Sequence, residues 1–166
     1  MSTDTFIALC VAIIALCALS VSIWQCFETR KHNKLSVRPC LSLRVMISRQ
    51  APYMGIQIEN NGIGPAVIKK CTVYVDKMPF TVDSYEDWVK AGTAARIFSK
   101  KISFLTLPEG TVIKEGQGVS LIAYPKENQT EEGIKNIEEV LAYHLRAKVT
   151  YESIYKEKFE VTNLER

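Results

Sequence analysis

The chain has 166 residues, with 21 basic and 18 acidic side chains and a formal charge of +3. Charge this evenly mixed argues against a dedicated nucleic-acid binder, which concentrates basic residues on one face. Two histidines and five cysteines, in neither HExxH nor CxxC spacing, offer no zinc-type ligand set.

Residues 1–5 form a short tail carrying Asp4. From Phe6 to Phe27 the run FIALCVAIIALCALSVSIWQCF contains no Asp, Glu, Lys, Arg, His, Pro or Gly. As a helix rising 1.5 Å per residue, these roughly 22 residues extend about 33 Å, enough to cross a hydrocarbon core of about 30 Å. Trp24 beside Gln25 suits a membrane–water boundary. The run is too long for the core of a cleavable signal peptide, and no basic residue precedes it. None of Cys10, Cys17 and Cys26 follows the small residue that a lipoprotein-type cysteine needs. A globular core helix is a poor alternative, because such helices rarely run six turns without a charge. The expectation is one transmembrane helix over 6–27.

Within it, Ala8-xxx-Ala12 and Ala18-xxx-Ser22 are small-xxx-small spacings that permit close helix–helix approach. Cys10 and Cys17, seven apart, share a face. Residues 28–38 form a basic juxtamembrane connector, in which Arg30, Lys31, Lys34 and Arg38 form a cluster suited to anionic lipid, at about 1 kcal/mol per basic residue. His32 is read as solvated linker. Lys and Arg flanking a span stay on the cytoplasmic side, so the expectation is a cell (inner) membrane protein with its C-terminal domain in the cytoplasm.

Residues 39–166 are long enough for one domain and one core. Pro39 precedes Leu41–Ser48, where Leu41, Leu43, Val45 and Ile47 alternate with Ser42, Arg44, Met46 and Ser48, as in a half-buried strand. Met54–Glu59 repeats the pattern with Met54, Ile56 and Ile58 inward. Asn60-Asn61-Gly62-Ile63-Gly64-Pro65-Ala66 is the strongest turn signal. A strand over Val67–Asp76 follows, with Cys71, Val73 and Val75 on one face. Asp83 or Ser84 caps a short helix with Trp88 and Val89 on its apolar side, stopping at Gly92. Lys101–Leu107 and Thr111–Lys114 are short strands around Pro108-Glu109-Gly110, and Gly118–Tyr124 is another. Thr130 caps a second helix over Glu131–Tyr143, lined by Ile134, Ile137, Val140 and Leu141. His144–Tyr155 and Lys158–Thr162 close as a hairpin, with Val149, Tyr151, Phe159 and Val161 as core candidates. Seven or eight short strands with two inserted helices predict a mainly β fold: an antiparallel β-sandwich, or a small barrel.

No catalytic motif emerges. There is no GxSxG elbow, Walker loop or strand–GxGxxG–helix unit, and Pro65 removes a backbone donor where Gly62-Ile63-Gly64 would need one. His144 opens a strand and is read as an edge residue. Adjacent carboxylates at Glu86/Asp87, Glu131/Glu132 and Glu138/Glu139 diverge by about 100° on a helix, and Glu131 and Glu132 are accounted for by its dipole. Cys40 and Cys71 are expected to be buried thiols in a reducing compartment. In an outward-facing domain they could pair, and Asn128-Gln129-Thr130 would be a glycosylation acceptor.

The stretch IENNGIGPAVIKKCTVYVD, with VTYESIYKEKFEV near the end, resembles small bacterial single-pass membrane-anchored proteins. In these an N-terminal span precedes an immunoglobulin-like β domain of unassigned function. The resemblance implies fold and location and carries over no catalytic or binding residue; Lys156 stands where such a family has glycine in the last turn. Two functions fit. The first is a non-enzymatic interaction module, docking a protein partner or a second copy through a sheet edge or the Trp88 helix. The second resembles bacterial defence effectors in which a small β-barrel binds a nucleotide signal and clusters membrane helices; it requires an interior pocket. The expected partners are the bilayer and a protein, with no cofactor or metal, and no residue singled out for a small-molecule ligand.

Overall fold

A computed structural model of the chain describes residues 3–97 and 101–163. The chain divides into two units, Met1–Ser36 and Val37–Arg166.

The first unit is one helix, α1 (Thr3–Ser36). It begins inside the short tail and continues past Phe27 through most of the basic connector, because Glu28-Thr29-Arg30-Lys31 and Lys34 include good helix formers with no Pro or Gly to stop them. Its length is about 51 Å. None of its residues is buried. The hydroxyls of Ser20 and Ser22 donate to the carbonyls of Leu16 and Ala18, each at 2.8 Å, so the two serines carry no unsatisfied donor. By length and composition α1 is able to cross a membrane.

The second unit has nine strands among the described residues, in two antiparallel sheets. One sheet holds β1 (Leu41–Met46), β2 (Tyr53–Asn60), β7 (Gly118–Pro125) and β5 (Ser103–Phe104), in the order β1-β2-β7-β5. The other holds β3 (Ala66–Val75), β4 (Met78–Thr81), β8 (Leu145–Glu152) and β9 (Lys158–Thr162), in the order β4-β3-β8-β9, with β6 (Val112–Ile113) pairing β3. Helices α2 (Tyr85–Ala94) and α3 (Glu131–Glu139) lie in connections.

Period-two alternation fills the core as expected from Met54, Ile56, Ile58, Cys71, Val73, Val75 and Val149, all buried. Burial of each large aliphatic side chain stabilises by about 1.5–3 kcal/mol. Along β3 the inward set switches from Ala66 and Ile68 to Cys71, Val73 and Val75. A register shift against β8 between Ile68 and Lys70 inserts one residue and flips the parity. The extra residue, Lys69, turns outward to Glu109 at 2.8 Å and Glu152 at 3.5 Å.

The turn after β2 is organised by Asn60, which is fully buried. Its Nδ2 donates to the carbonyls of Gly64 (2.8 Å) and Ile113 (3.1 Å). Its Oδ1 accepts from the amides of Cys40 (3.1 Å) and Gly62 (3.0 Å). Gly64 has no alternative here: a Cβ would lie 1.6 Å from the Val37 carbonyl oxygen.

Several expectations are corrected. The first strand ends at Met46 and Ile47 is exposed. The strands on either side of Pro108-Glu109-Gly110 shrink to two residues each. The helix capped by Ser84 passes through Gly92 to Ala94 and ends in a Schellman-type turn: the Ile97 amide bonds the Gly92 carbonyl (2.9 Å), and the Arg96 amide bonds that of Thr93 (3.1 Å). Arg96, at φ 57°, takes the place glycine usually fills. Helix α3 gives way at Val140 to a π-helical turn reaching His144, so Tyr143 is exposed rather than continuing an α-helical face. Arg146 satisfies the carbonyls at that end, donating to Leu141, Ala142 and Leu145. Cys40 is exposed and Cys71 buried; all five cysteines are free.

Candidate functional site

The residues predicted to meet a membrane lie on α1. Phe6, Trp24 and Phe27 are exposed on it. At 100° per residue, Arg30, Lys31 and Lys34 occupy one arc of about 100°, with the Glu28–His32 pair (3.4 Å) on the opposite side. Arg38 does not share that arc. It lies beyond the helix end, with its guanidinium 4.8 Å over the Phe159 ring. Ala8, Ala12, Ala18 and Ser22 are exposed along α1, with Ser22 bonded back to Ala18.

Trp88 is no contact surface. It is 1% exposed, its Nε1 donates to the Leu105 carbonyl at 2.9 Å, and its ring packs 5.2 Å from that of Phe104. The amphipathic face of α2 is spent on the core, so docking through Trp88 would require unfolding the helix.

The sheet edge is a better candidate. β1 is an edge strand, paired to β2 from Leu41↔Asn60 to Met46↔Gly55 without interruption. In an antiparallel pair alternate residues turn their backbone groups away from the partner. The Leu41 amide marks which ones do, since it donates to the Tyr151 hydroxyl at 3.2 Å; Leu43 and Val45 share its parity. Burial pushes the Tyr151 hydroxyl above its ordinary pKa, opposed by the bond from Leu41. Tyr151 stacks on Phe159, centroids 5.5 Å apart, so Arg38, Phe159, Tyr151 and Leu41 tie β1 to the β8–β9 hairpin.

Beyond this tie a groove of about 540 Å³ runs between the edges, lined by Leu43, Arg44, Val45 and Met46 with Gln57 on one side, and Thr162 and Asn163 on the other. Asn163 is anchored on both sides of Ala147, whose amide it accepts from and whose carbonyl it donates to. Leu43, Val45, Phe159 and Val161 are only half-buried against the core, so apolar side chains along this seam are incompletely covered. On the outer face Arg44 pairs with Glu59 at 3.2 Å.

A second cluster joins Asp76 to His144. The Asp76 amide donates to the His144 carbonyl at 3.0 Å, and Asp76 Oδ1 meets His144 Nδ1. The pair lines a cleft of about 330 Å³ with Arg96, Asn136 and Glu139. A carboxylate-oriented imidazole could move a proton, but no serine, threonine or cysteine lines this cleft among the described residues. The pair's evident role is to clamp the β3–β4 turn to the π-helical turn. A wider surface cleft of about 590 Å³ gathers Arg96, Lys101 and Lys135 with Glu132 and Glu139, a mixed-charge lining. Asn128 and Thr130 of the acceptor motif are both used structurally: the Asn128 carbonyl accepts from Tyr124, and the Thr130 hydroxyl caps α3.

Cys71 is chemically quiet, its thiol pushed up to about 12 by burial and then by the Asp83 charge. Tyr151 is buried as its place in the closing hairpin predicts, but its bond to Leu41, like the contacts of Asn60 and Asp76 that sequence reading missed, joins distant segments that no local pattern encodes. The chain was compared with family models and with curated proteins, and none matches.

Proposed function

We propose that this chain is a single-pass membrane protein whose β domain, an antiparallel sandwich of immunoglobulin-like type, is held at the membrane face and binds a protein there, by docking a partner or assembling with itself. The observation that carries this reading is α1: an uncharged run from Phe6 to Phe27 inside one long helix with no buried residue. Water does not tolerate so large an apolar surface, and lipid does. The basic arc of Arg30, Lys31 and Lys34 after the run supports a cytoplasmic domain lying against anionic headgroups.

An interaction role is favoured over nucleotide sensing because the domain interior is filled by Ile56, Ile58, Ile122, Leu121 and Val149, each fully buried. The described clefts are lined instead by exposed side chains such as Arg96, Lys135 and Arg44. Among the described residues, no serine, threonine or cysteine lines the cleft of Asp76 and His144.

Cys40 tests the orientation, being exposed while Cys71 is buried. A membrane-impermeant maleimide applied to a bacterial host expressing the chain should label Cys40 only after the cells are opened. Labelling in intact cells would place the domain outside.

A further inference from the structure

The four sheet edges are guarded unequally. β4 is four residues long and carries Pro79. β5 has two residues. β9 is charged at Lys158 and Glu160, the latter paired to Lys148 at 2.8 Å. Brevity, proline and edge charge all keep a sheet edge from pairing with another. β1 has six residues, no proline, no bulge against β2, and a single charge, Arg44, which Glu59 already neutralises. Its backbone groups at Leu43 and Val45 face away from β2, beside the half-buried apolar side chains of β1 and β9.

We infer that β1 pairs antiparallel with β1 of a second copy, about a two-fold axis passing at Leu43. This rests on the reading above that the domain binds protein, and it names both the edge and the occupant. The register follows from three constraints. First, only Leu41, Leu43 and Val45 turn backbone groups outward, and within β1 an axis at Leu43 is the one that sets all three opposite outward-turned residues. Centred at Leu43, it sets Leu43 opposite its counterpart and Leu41 opposite Val45. Each Leu41 amide stays with Tyr151, so the outer pairs form half their bonds.

Second, the charges complement. The axis places Arg44 of each copy opposite Ser42 of the other, and Ser42 is the β2-paired neighbour of Glu59. The small serine leaves Arg44 a path to Glu59 of the second copy, so each carboxylate lies between two guanidiniums. An axis at Arg44 would instead oppose like charges, which is destabilising. Third, the half-buried Leu43 and Val45 of each copy gain cover from the other, which neither sheet supplies alone.

The test uses the full chain in mild detergent, with its oligomeric state read by native mass spectrometry over a concentration series. The expected species is a dimer. Arg44→Glu and Glu59→Arg should each weaken it about tenfold or more, because an attractive contact becomes a repulsive one in both halves. Mixing the Arg44→Glu chain with the Glu59→Arg chain should restore dimers, as heterodimers of the two variants; each copy's own 44–59 pair stays repulsive there, so this rescue separates pairing between copies from a folding defect within one. Hydrogen exchange at the Leu43 and Val45 amides should slow as the dimer forms. A dimer indifferent to both reversals would overturn the edge assignment while leaving self-assembly intact, through α1. A different protein occupying β1 would overturn the second copy as occupant and leave docking intact. A wild-type chain that is monomeric at every concentration would overturn this inference and remove self-assembly from the proposed function.

Discussion

Asn60 shows how one side chain can hold a junction that hydrophobic patterning does not specify. Its amide serves Cys40, Gly62, Gly64 and Ile113, joining the start of β1, the turn after β2 and β6. An unpartnered buried group costs about 1–3 kcal/mol. Asn60→Ala orphans two donors and two acceptors at once, and is expected to destabilise the domain by about 3–5 kcal/mol, measured as a fall in denaturant midpoint. Asn60→Asp should be nearly as damaging, because it turns an oxygen toward two carbonyls. The domain cysteines make a second residue-scale prediction. Cys40 is exposed and Cys71 is buried with its thiol near 12, so native protein in detergent should react with a thiol reagent at Cys40 and spare Cys71. Mass spectrometry of labelled peptides, native against denatured, reads this directly. Cys71 was legible as an inward residue from its alternation with Val73 and Val75. Cys40 was not legible as exposed, because it falls just before the strand, where no alternation constrains it.

Among the elements, the first helix of the domain shows what local sequence does and does not carry. Its start was readable, since Ser84 and Asp87 stand at capping-box spacing, and the box forms with Asp87 N bonded to Ser84 Oγ at 3.3 Å and Ser84 N to Asp87 Oδ2 at 3.1 Å. The Ser84 hydroxyl is the main cause holding the Asp87 carboxyl below its ordinary pKa. The sign follows: this contribution is fully present above the ordinary carboxylate value and is lost as pH falls through the lowered one. The stability difference between wild type and Asp87→Asn should therefore be constant near neutrality and vanish in acid, as urea midpoints across a pH series would show. The helix end was not readable, because Gly92 is a helix interior residue and the left-handed position belongs to Arg96. The β3–β4 hairpin escaped notice for a related reason. Its turn is Asp76-Lys77, at φ 47° and 72°, where the recognisable pairs are Asn-Gly and Asp-Gly. Lys77→Gly should relieve the left-handed strain and raise stability by about 0.5–1 kcal/mol, visible as a higher melting temperature. Trp88 was misplaced because its partners, Phe104 and the Leu105 carbonyl, arrive from a segment far along the chain.

Taken whole, the molecule joins two units built on opposite rules. The helix pairs the backbone groups of its interior turns with one another and shows apolar side chains outward, as a bilayer demands. The domain turns its apolar side chains inward and leaves sheet edges to be managed one by one. Both rules are visible in sequence as periodicities, the first as an unbroken run and the second as alternation. The seam between β1 and β9 is not, because it depends on which edges the topology brings side by side. The proposed role depends on lipid being the environment of Phe6–Phe27. Membranes carrying the full chain, washed in alkaline carbonate and floated on a density gradient, decide this most directly. The chain is predicted to rise with the lipid; its appearance in the soluble fraction at the bottom of the gradient would contradict the account.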